Sequence, residues 1–172
     1  MEILIRRSEP TDASAIAEIY ASPNAYHGTL QLPHSPIQQW EQRLAKNSEN
    51  LYSYVAERDG EIVGNLGLIV DSNPRRRHVA TIGLAVKDAV SGQGIGSKLL
   101  STAIDLADSW LNLKRIEMTV FVDNKPAVKL YEKFGFEIEG QSACYAFRNG
   151  EYVSAYHMGR VSNNVAAIIS PA

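Results

Sequence analysis

The order of local patterns along this chain predicts an α/β fold of the α+β kind, built on a mixed, mostly antiparallel sheet of about seven strands with about four helices. Three observations carry that expectation. Strand-like stretches flank the turn dipeptides Asp59-Gly60 and Asn149-Gly150, which are strong hairpin signals. A strand ending at Val86 passes through a glycine-bearing turn directly into a helical pattern. The length of 172 residues with 45% apolar content suits one compact domain with a full core.

Taken in order, Ile3 and Ile5 alternate with Leu4 and Arg6 as a short first strand, after which Thr11 or Asp12 can cap a helix with the stripe Ala13, Ile16, Ala17, Ile19 and Tyr20. Three prolines and a glycine between residues 22 and 36 predict an irregular segment, long enough to be functional. Ser35-Pro36 opens a second helix to about residue 46. Residues 52–57 and 61–70 form the first hairpin, and residues 78–86 continue the sheet. A helix follows through Leu99, Leu100, Ala103, Ile104 and Ala107. Residues 115–122 are a β-branched strand, residues 125–134 a helix stopped by Gly135, and two last strands meet at Asn149-Gly150. The domain is expected to span residues 1–160, with a tail at 161–172.

Composition narrows the function. A formal net charge of -2 supplies no cationic field toward nucleic acid or anionic lipid, and neither partner is expected. The N-terminal stretch has no long apolar run to act as a leader or membrane span. Cys144 is the lone cysteine, which excludes an internal disulfide and a cysteine-built zinc site, and no metal is expected. A cytoplasmic protein is the default reading, and a homodimer is compatible with it.

The turn Ser91-Gly92-Gln93-Gly94-Ile95-Gly96, opening a helix, can present several backbone N–H groups and a positive helix end to a phosphate. Glycines suit such a cradle because a Cβ would crowd a ligand or penalise positive φ. By themselves the glycines could simply shape a turn. The turn is no Walker loop, since no Gly-Lys-Ser/Thr follows, and hairpins rather than a βαβ unit precede it. A second block, Asn124, Ala127, Tyr131, Gly135 and Phe136, lies on a helix where Asn124 and Tyr131, two turns apart, share a face. Asn124 as an N-cap, Tyr131 as a packed ring and Gly135 as a C-terminal cap are the structural alternatives.

Together the strand Ile82-Gly83-Leu84-Ala85-Val86, the turn Gly92 to Ser97 and the Asn124 to Phe136 block resemble the acetyl-coenzyme A site of the GNAT superfamily of N-acetyltransferases, with the pattern running over roughly residues 3–160. The resemblance implies a GNAT-like fold and acetyl-coenzyme A as cosubstrate. It implies that Leu84, Ala85 and Val86 pair through their backbone with the pantetheine arm, and that the amides of Gly92, Gln93, Gly94, Ile95, Gly96 and Ser97 hold the pyrophosphate. Asn124 would contact the cofactor, and the Tyr131 hydroxyl would sit near its sulfur and protonate the departing thiolate. Ser91 stands where the family often has Arg or Gln, a departure that bears on a side-chain contribution to phosphate binding and leaves the backbone cradle intact.

A general base is harder to read. Family members often carry a carboxylate where this chain has Thr81 or Thr119; Glu117 and His78 lie nearby but read more simply as surface and structural groups, and loss of the proton to water serves as well. Cys144 has no histidine at a suggestive spacing, so direct transfer is the simpler account than a covalent enzyme intermediate. For the acceptor, residues 24–34 lie where this family commonly closes over its amine. Tyr26, Thr29 and Leu30 are candidate contacts, and Arg77, from the triplet Arg75-Arg76-Arg77, can pair with a carboxylate unless the triplet is only a solvated basic hairpin. With the ending Tyr145 to Tyr152, these features are most similar to bacterial free L-amino-acid N-acetyltransferases. Acetylation of a peptide N-terminus or lysine, and a noncatalytic acetyl-coenzyme A-binding module, remain open.

Overall fold

The computed structural model describes residues 2–46 and 49–163. Within them are seven strands, β1 (Ile3–Arg7), β2 (Leu51–Arg58), β3 (Glu61–Val70), β4 (Val79–Val86), β5 (Arg115–Phe121), β6 (Glu137–Arg148) and β7 (Glu151–Val161). Five helices accompany them: α1 (Ala13–Ala21), α2 (Pro23–His27), α3 (Ile37–Ala45), α4 (Ile95–Asp105) and α5 (Lys125–Lys133). The strands form one sheet in the order β1-β2-β3-β4-β5-β7-β6. β1 runs antiparallel to β2, and β7 antiparallel to both β5 and β6. β4 and β5, joined through α4, are parallel, as a helical crossover requires. The mixed, mostly antiparallel GNAT-like architecture is therefore present.

The segment expected to be irregular contains α2. Pro23 sits at its first position, where a missing N–H costs nothing and the fixed φ suits a helix, so proline starts this turn rather than breaking it. The helix predicted to run through Ala107 keeps α-geometry only to Asp105. Its chain then widens into a π-turn, Leu106–Trp110, closed by the Leu111 N–H on the Leu106 carbonyl at 3.0 Å. Of the expected tail, Val161 completes β7 and the Ser162 N–H bonds the Lys114 carbonyl at 3.0 Å, while residues 164–172 lie outside the described residues.

The described residues cluster into two compact units, one of residues 2–46, 49–68 and 83–103, the other of residues 69–82 and 104–163. In the first, the α1 stripe of Ile16, Ile19 and Tyr20 packs with Trp40, Val55 and Ala85, and the Tyr20 and Trp40 rings stack at 4.4 Å. Burial pushes the Tyr20 phenol up to about 12. Its hydroxyl is satisfied by donating to Asn65 Oδ1 at 3.2 Å, and Asn65 Nδ2 in turn donates to the Tyr54 carbonyl at 2.9 Å. Gly64 of β3 lets α4 approach closely, since a Cβ there would stand 3.0 Å from both Ile95 and Leu99 side chains. In the second unit, Ile116, Met118 and Val120 of β5 are buried, and the alternation of the strand turns Arg115, Glu117 and Thr119 to its other face.

Candidate active site

In the first unit, β4 ends by handing the Lys87 N–H to the Val63 carbonyl at 2.8 Å, and a single 3-10 turn, Asp88–Val90, leads to the glycines. Gly92 and Gly94 both adopt left-handed φ, +77° and +83°, and a Cβ at either would meet nothing within 4 Å. Conformation, not crowding within the chain, therefore selects glycine at these two positions, and the space over the turn is open. Gly96 has no left-handed φ and lies inside α4. The first amide to bond within α4 is that of Lys98, on the Gly94 carbonyl at 3.1 Å, so the amides of Ile95, Gly96 and Ser97 precede the helical ladder. Ile95 is buried against Gly64, which fixes where those amides point.

Arg58, at the end of β2, donates from Nη1 to Gln93 Oε1 at 2.6 Å. It brings a guanidinium to a helix start that already favours anions. Sequence reading missed Arg58 because the contact spans two hairpin strands and a turn. The cradle of open amides, left-handed glycines and a tethered guanidinium thus fits a pyrophosphate.

The β4–β5 ladder pairs Val79, Ala80 and Thr81 with Arg115, Ile116 and Glu117, while β4 continues to Val86. The later residues of β4, Leu84, Ala85 and Val86 among them, stand beyond that ladder, which suits a strand edge meant to pair with an amide-bearing ligand. Ala85 points into the core of the first unit, while Leu84 and Val86 are half-buried.

Of the proposed acceptor residues in this unit, Tyr26 lies half-buried on α2 with its ring edge-on to His27 at 4.7 Å. Thr29 Oγ1 accepts the Gln31 N–H at 3.2 Å, and Leu30 is 66% exposed. The Asn24 N–H at the start of α2 donates to Asp88 Oδ2 at 3.2 Å. Asp88 therefore ties the start of α2 to the stretch that opens into the glycine turn, a role the sequence did not announce. Its Oδ1 is buried without a hydrogen-bond partner among the described residues.

In the second unit, Asn124 caps α5, its Oδ1 accepting the Ala127 N–H at 3.3 Å, which leaves Nδ2 to donate elsewhere. Tyr131 is buried, with its ring edge-on to Phe136 at 5.7 Å. Its carbonyl takes the N–H groups of Phe134 and Phe136 at 3.0 and 3.1 Å as Gly135 turns left-handed at φ +84°. The cap, packing and C-terminal roles weighed from sequence are thus all present, and the ring is held in one place.

The arginine triplet divides. Arg76 is held by Asp71 at 2.8 Å and Glu117 at 2.5 Å, and these carboxylates raise its already high pKa further. Arg77 is exposed and makes no ion pair among the described residues, which leaves it available to a ligand. The second Glu117 oxygen accepts Arg115 Nε at 2.7 Å. With both oxygens committed to guanidinium groups, Glu117 is poorly placed to act as a base. Thr119 Oγ1 lies 3.2 Å from the Tyr145 hydroxyl. No group of three or more metal-ligating side chains occurs among the described residues, and no helix there is long and apolar enough to cross a membrane.

The strand order, with β4 and β5 parallel across α4 and a glycine turn at the start of α4, is the framework of a GNAT-type acyltransferase. The profile of the acetyltransferase (GNAT) family matches residues 14–136, and the chain belongs to that family as an acetyl-coenzyme A-dependent N-acetyltransferase. It is 48% identical over 160 residues to the L-amino acid N-acetyltransferase AaaT of Escherichia coli K12, covering 93% of this chain and 98% of that protein. A GNAT-family acetyltransferase from Streptococcus pneumoniae superposes with a TM-score of 0.82 at 30% identity, over 93% of this chain and 99% of that one. The structure of yncA from Salmonella typhimurium with its cofactor acetyl-coenzyme A gives 0.83 at 21% identity, over 94% of each chain, a likeness of fold.

Proposed function

We propose that the chain acetylates the amine of a free L-amino acid or a closely similar small molecule by direct attack on the thioester. The likeness to an L-amino acid N-acetyltransferase across nearly the whole of both chains carries this reading. Bound acetyl-coenzyme A supplies the activated acetyl group. The amides at the start of α4, with Arg58 beside them, hold its pyrophosphate, and the free edge of Leu84, Ala85 and Val86 orients the pantetheine arm. Backbone N–H groups of that edge stabilise the developing oxyanion, a contact worth roughly 2.7–4 kcal/mol in a well-built site. Asn124 steadies the cofactor through Nδ2, and Tyr131 gives a proton to the leaving sulfur. Arg77 pairs with the acceptor carboxylate, while Tyr26, Thr29 and Leu30 meet its side chain. Cys144, an exposed thiol, suits the reducing cytosol, where we place the enzyme.

Thiol release measured against free amino acids, their decarboxylated amines and short peptides tests the acceptor. Amino acids should turn over fastest and the decarboxylated amines should show a raised KM. A preference for peptides would overturn the small-molecule reading.

A further inference from the structure

Acetyl transfer needs a group that takes the proton lost by the amine, and the acidic side chains on the outward face of β5 are already engaged. Glu117 is clamped by Arg76 and Arg115, and Glu139 takes two bonds from Arg115. Asp123, in the turn that follows β5, is paired with Arg148. One residue pair beyond Glu117 on the same face, the β5–β7 register sets Thr119 directly opposite His157. Ser142 Oγ of β6 lies 2.7 Å from His157 Nε2, Thr119 Oγ1 lies 3.2 Å from the Tyr145 hydroxyl, and the Tyr145 and His157 rings stand edge-on with centroids 6.2 Å apart. Thr119 and His157 are exposed, so the cluster opens outward.

Strand alternation alone would not build this arrangement, because Ser142 and Tyr145 belong to opposite faces of a regular strand. The β6–β7 register shifts between Ser142 and Ala146, and Cys144 within the shift adopts a left-handed φ of +50°. This bulge delivers both hydroxyls to the face that carries His157, at the cost of an unfavourable conformation for a non-glycine residue. β5 then runs from Thr119 through Phe121, whose carbonyl accepts the Asn124 N–H at 3.0 Å, into the helix that carries Tyr131.

We propose that His157 accepts the proton of the acceptor amine, with Ser142 fixing its tautomer and Thr119 and Tyr145 forming the wall beside it. The inference rests on the acetyl-transfer reading above. An Nε2–H donated to Ser142 leaves the Nδ1 lone pair as the acceptor. The amine nitrogen forms the amide bond to the acetyl carbon, the carbon–sulfur bond breaks, the amine proton passes to His157 Nδ1, and the sulfur is protonated from Tyr131. Tyr145 and Glu139 of β6 and Arg115 and Glu117 of β5 are the titratable and charged groups on this face, and Arg115 holds the Glu139 carboxyl below its usual range. On β7 the same-face neighbours, Ala155 and Gly159, carry no charge.

The test compares wild type, His157→Ala, His157→Gln and Ser142→Ala, using the best small amine, over a range of pH and with acetyl-coenzyme A affinity measured by calorimetry. His157→Ala should lose about 10²–10⁴-fold in kcat near neutral pH, keep its cofactor affinity and thermal midpoint, lose the acid limb of the pH profile, and recover activity with added imidazole. His157→Gln, which can still donate to Ser142 but cannot take a proton, should fall equally. Wild-type turnover or an unaltered profile in either His157 variant would overturn the proposal, as would a loss explained by a lowered thermal midpoint without imidazole rescue. If wild type binds acetyl-coenzyme A but acetylates no amine, the acetyl-transfer reading fails and this inference falls with it; an active wild type with equally active variants removes His157 alone.

Discussion

Gly94 shows how one residue can serve conformation and ligand at once. Its φ of +83° penalises any side chain, and the space beyond it is open in the folded chain. Gly94→Val therefore strains the turn and fills the volume over the amides. Affinity for acetyl-coenzyme A should fall at least about tenfold, equivalent to roughly 1.4 kcal/mol, in a variant whose circular dichroism is unchanged. Tyr131 is a different case, because its ring is packed on Phe136 whatever its hydroxyl does. Phenylalanine keeps that packing. Tyr131→Phe should slow the chemical step by roughly 10²–10⁴-fold while cofactor affinity holds, as single-turnover rates at saturating substrates would show; a full-speed chemical step would remove it as the acid. These residues were legible because glycine turns and helix spacing are local signals. Arg58 and His157 were not, since one meets Gln93 and the other Ser142 only through strand register, which no local pattern encodes.

At the scale of elements, β1 and α1 are joined by a paired charge. Asp12 is buried and accepts Arg6 Nη1 and Nη2 at 2.8 and 3.0 Å and the Glu9 N–H at 2.7 Å. The Arg6 bonds hold its carboxyl below the usual range despite burial. A depressed folded pKa contributes stability that is complete above the unfolded value near ~3.9 and is lost as pH falls through the folded one. Wild type should thus shed this contribution only in acid. Asp12→Asn should be less stable by about 1.5–3 kcal/mol at neutral pH, with a gap to wild type that narrows below about pH 4 in denaturant titrations. A gap independent of pH would show that the carboxylate charge is not what counts. The sequence offered Asp12 as a cap for α1, but its side chain makes no cap bond there and turns to Arg6 instead. α2 escaped notice because proline reads as a breaker until its position in the turn is known. The hairpins, α4 and α5 were readable because each carries its own stop and start residues, such as Asp59-Gly60, Gly94, Asn124 and Gly135.

On the scale of the molecule, the strand count and the passage from strand through glycine turn to helix after Val86 followed from the sequence, whereas the parallel pairing across α4 and the insertion of β7 between β5 and β6 did not. Alternation marks a strand without naming its neighbour. That insertion matters for chemistry, since it sets His157 against Thr119. The family profile ends at residue 136, before β6 and β7, while the likeness to the amino-acid acetyltransferase extends over 93% of the chain. Features that distinguish one acceptor from another can therefore reside in the last hairpin as well as in α2. The most direct test of the central claim is to incubate the purified chain with acetyl-coenzyme A and a mixture of free L-amino acids and identify the products by mass spectrometry beside released thiol. N-acetylated amino acids formed in equal amount to free coenzyme A, and absent without the protein, are the predicted result. Tight acetyl-coenzyme A binding with no acetylated amino acid and no thiol above background would contradict it.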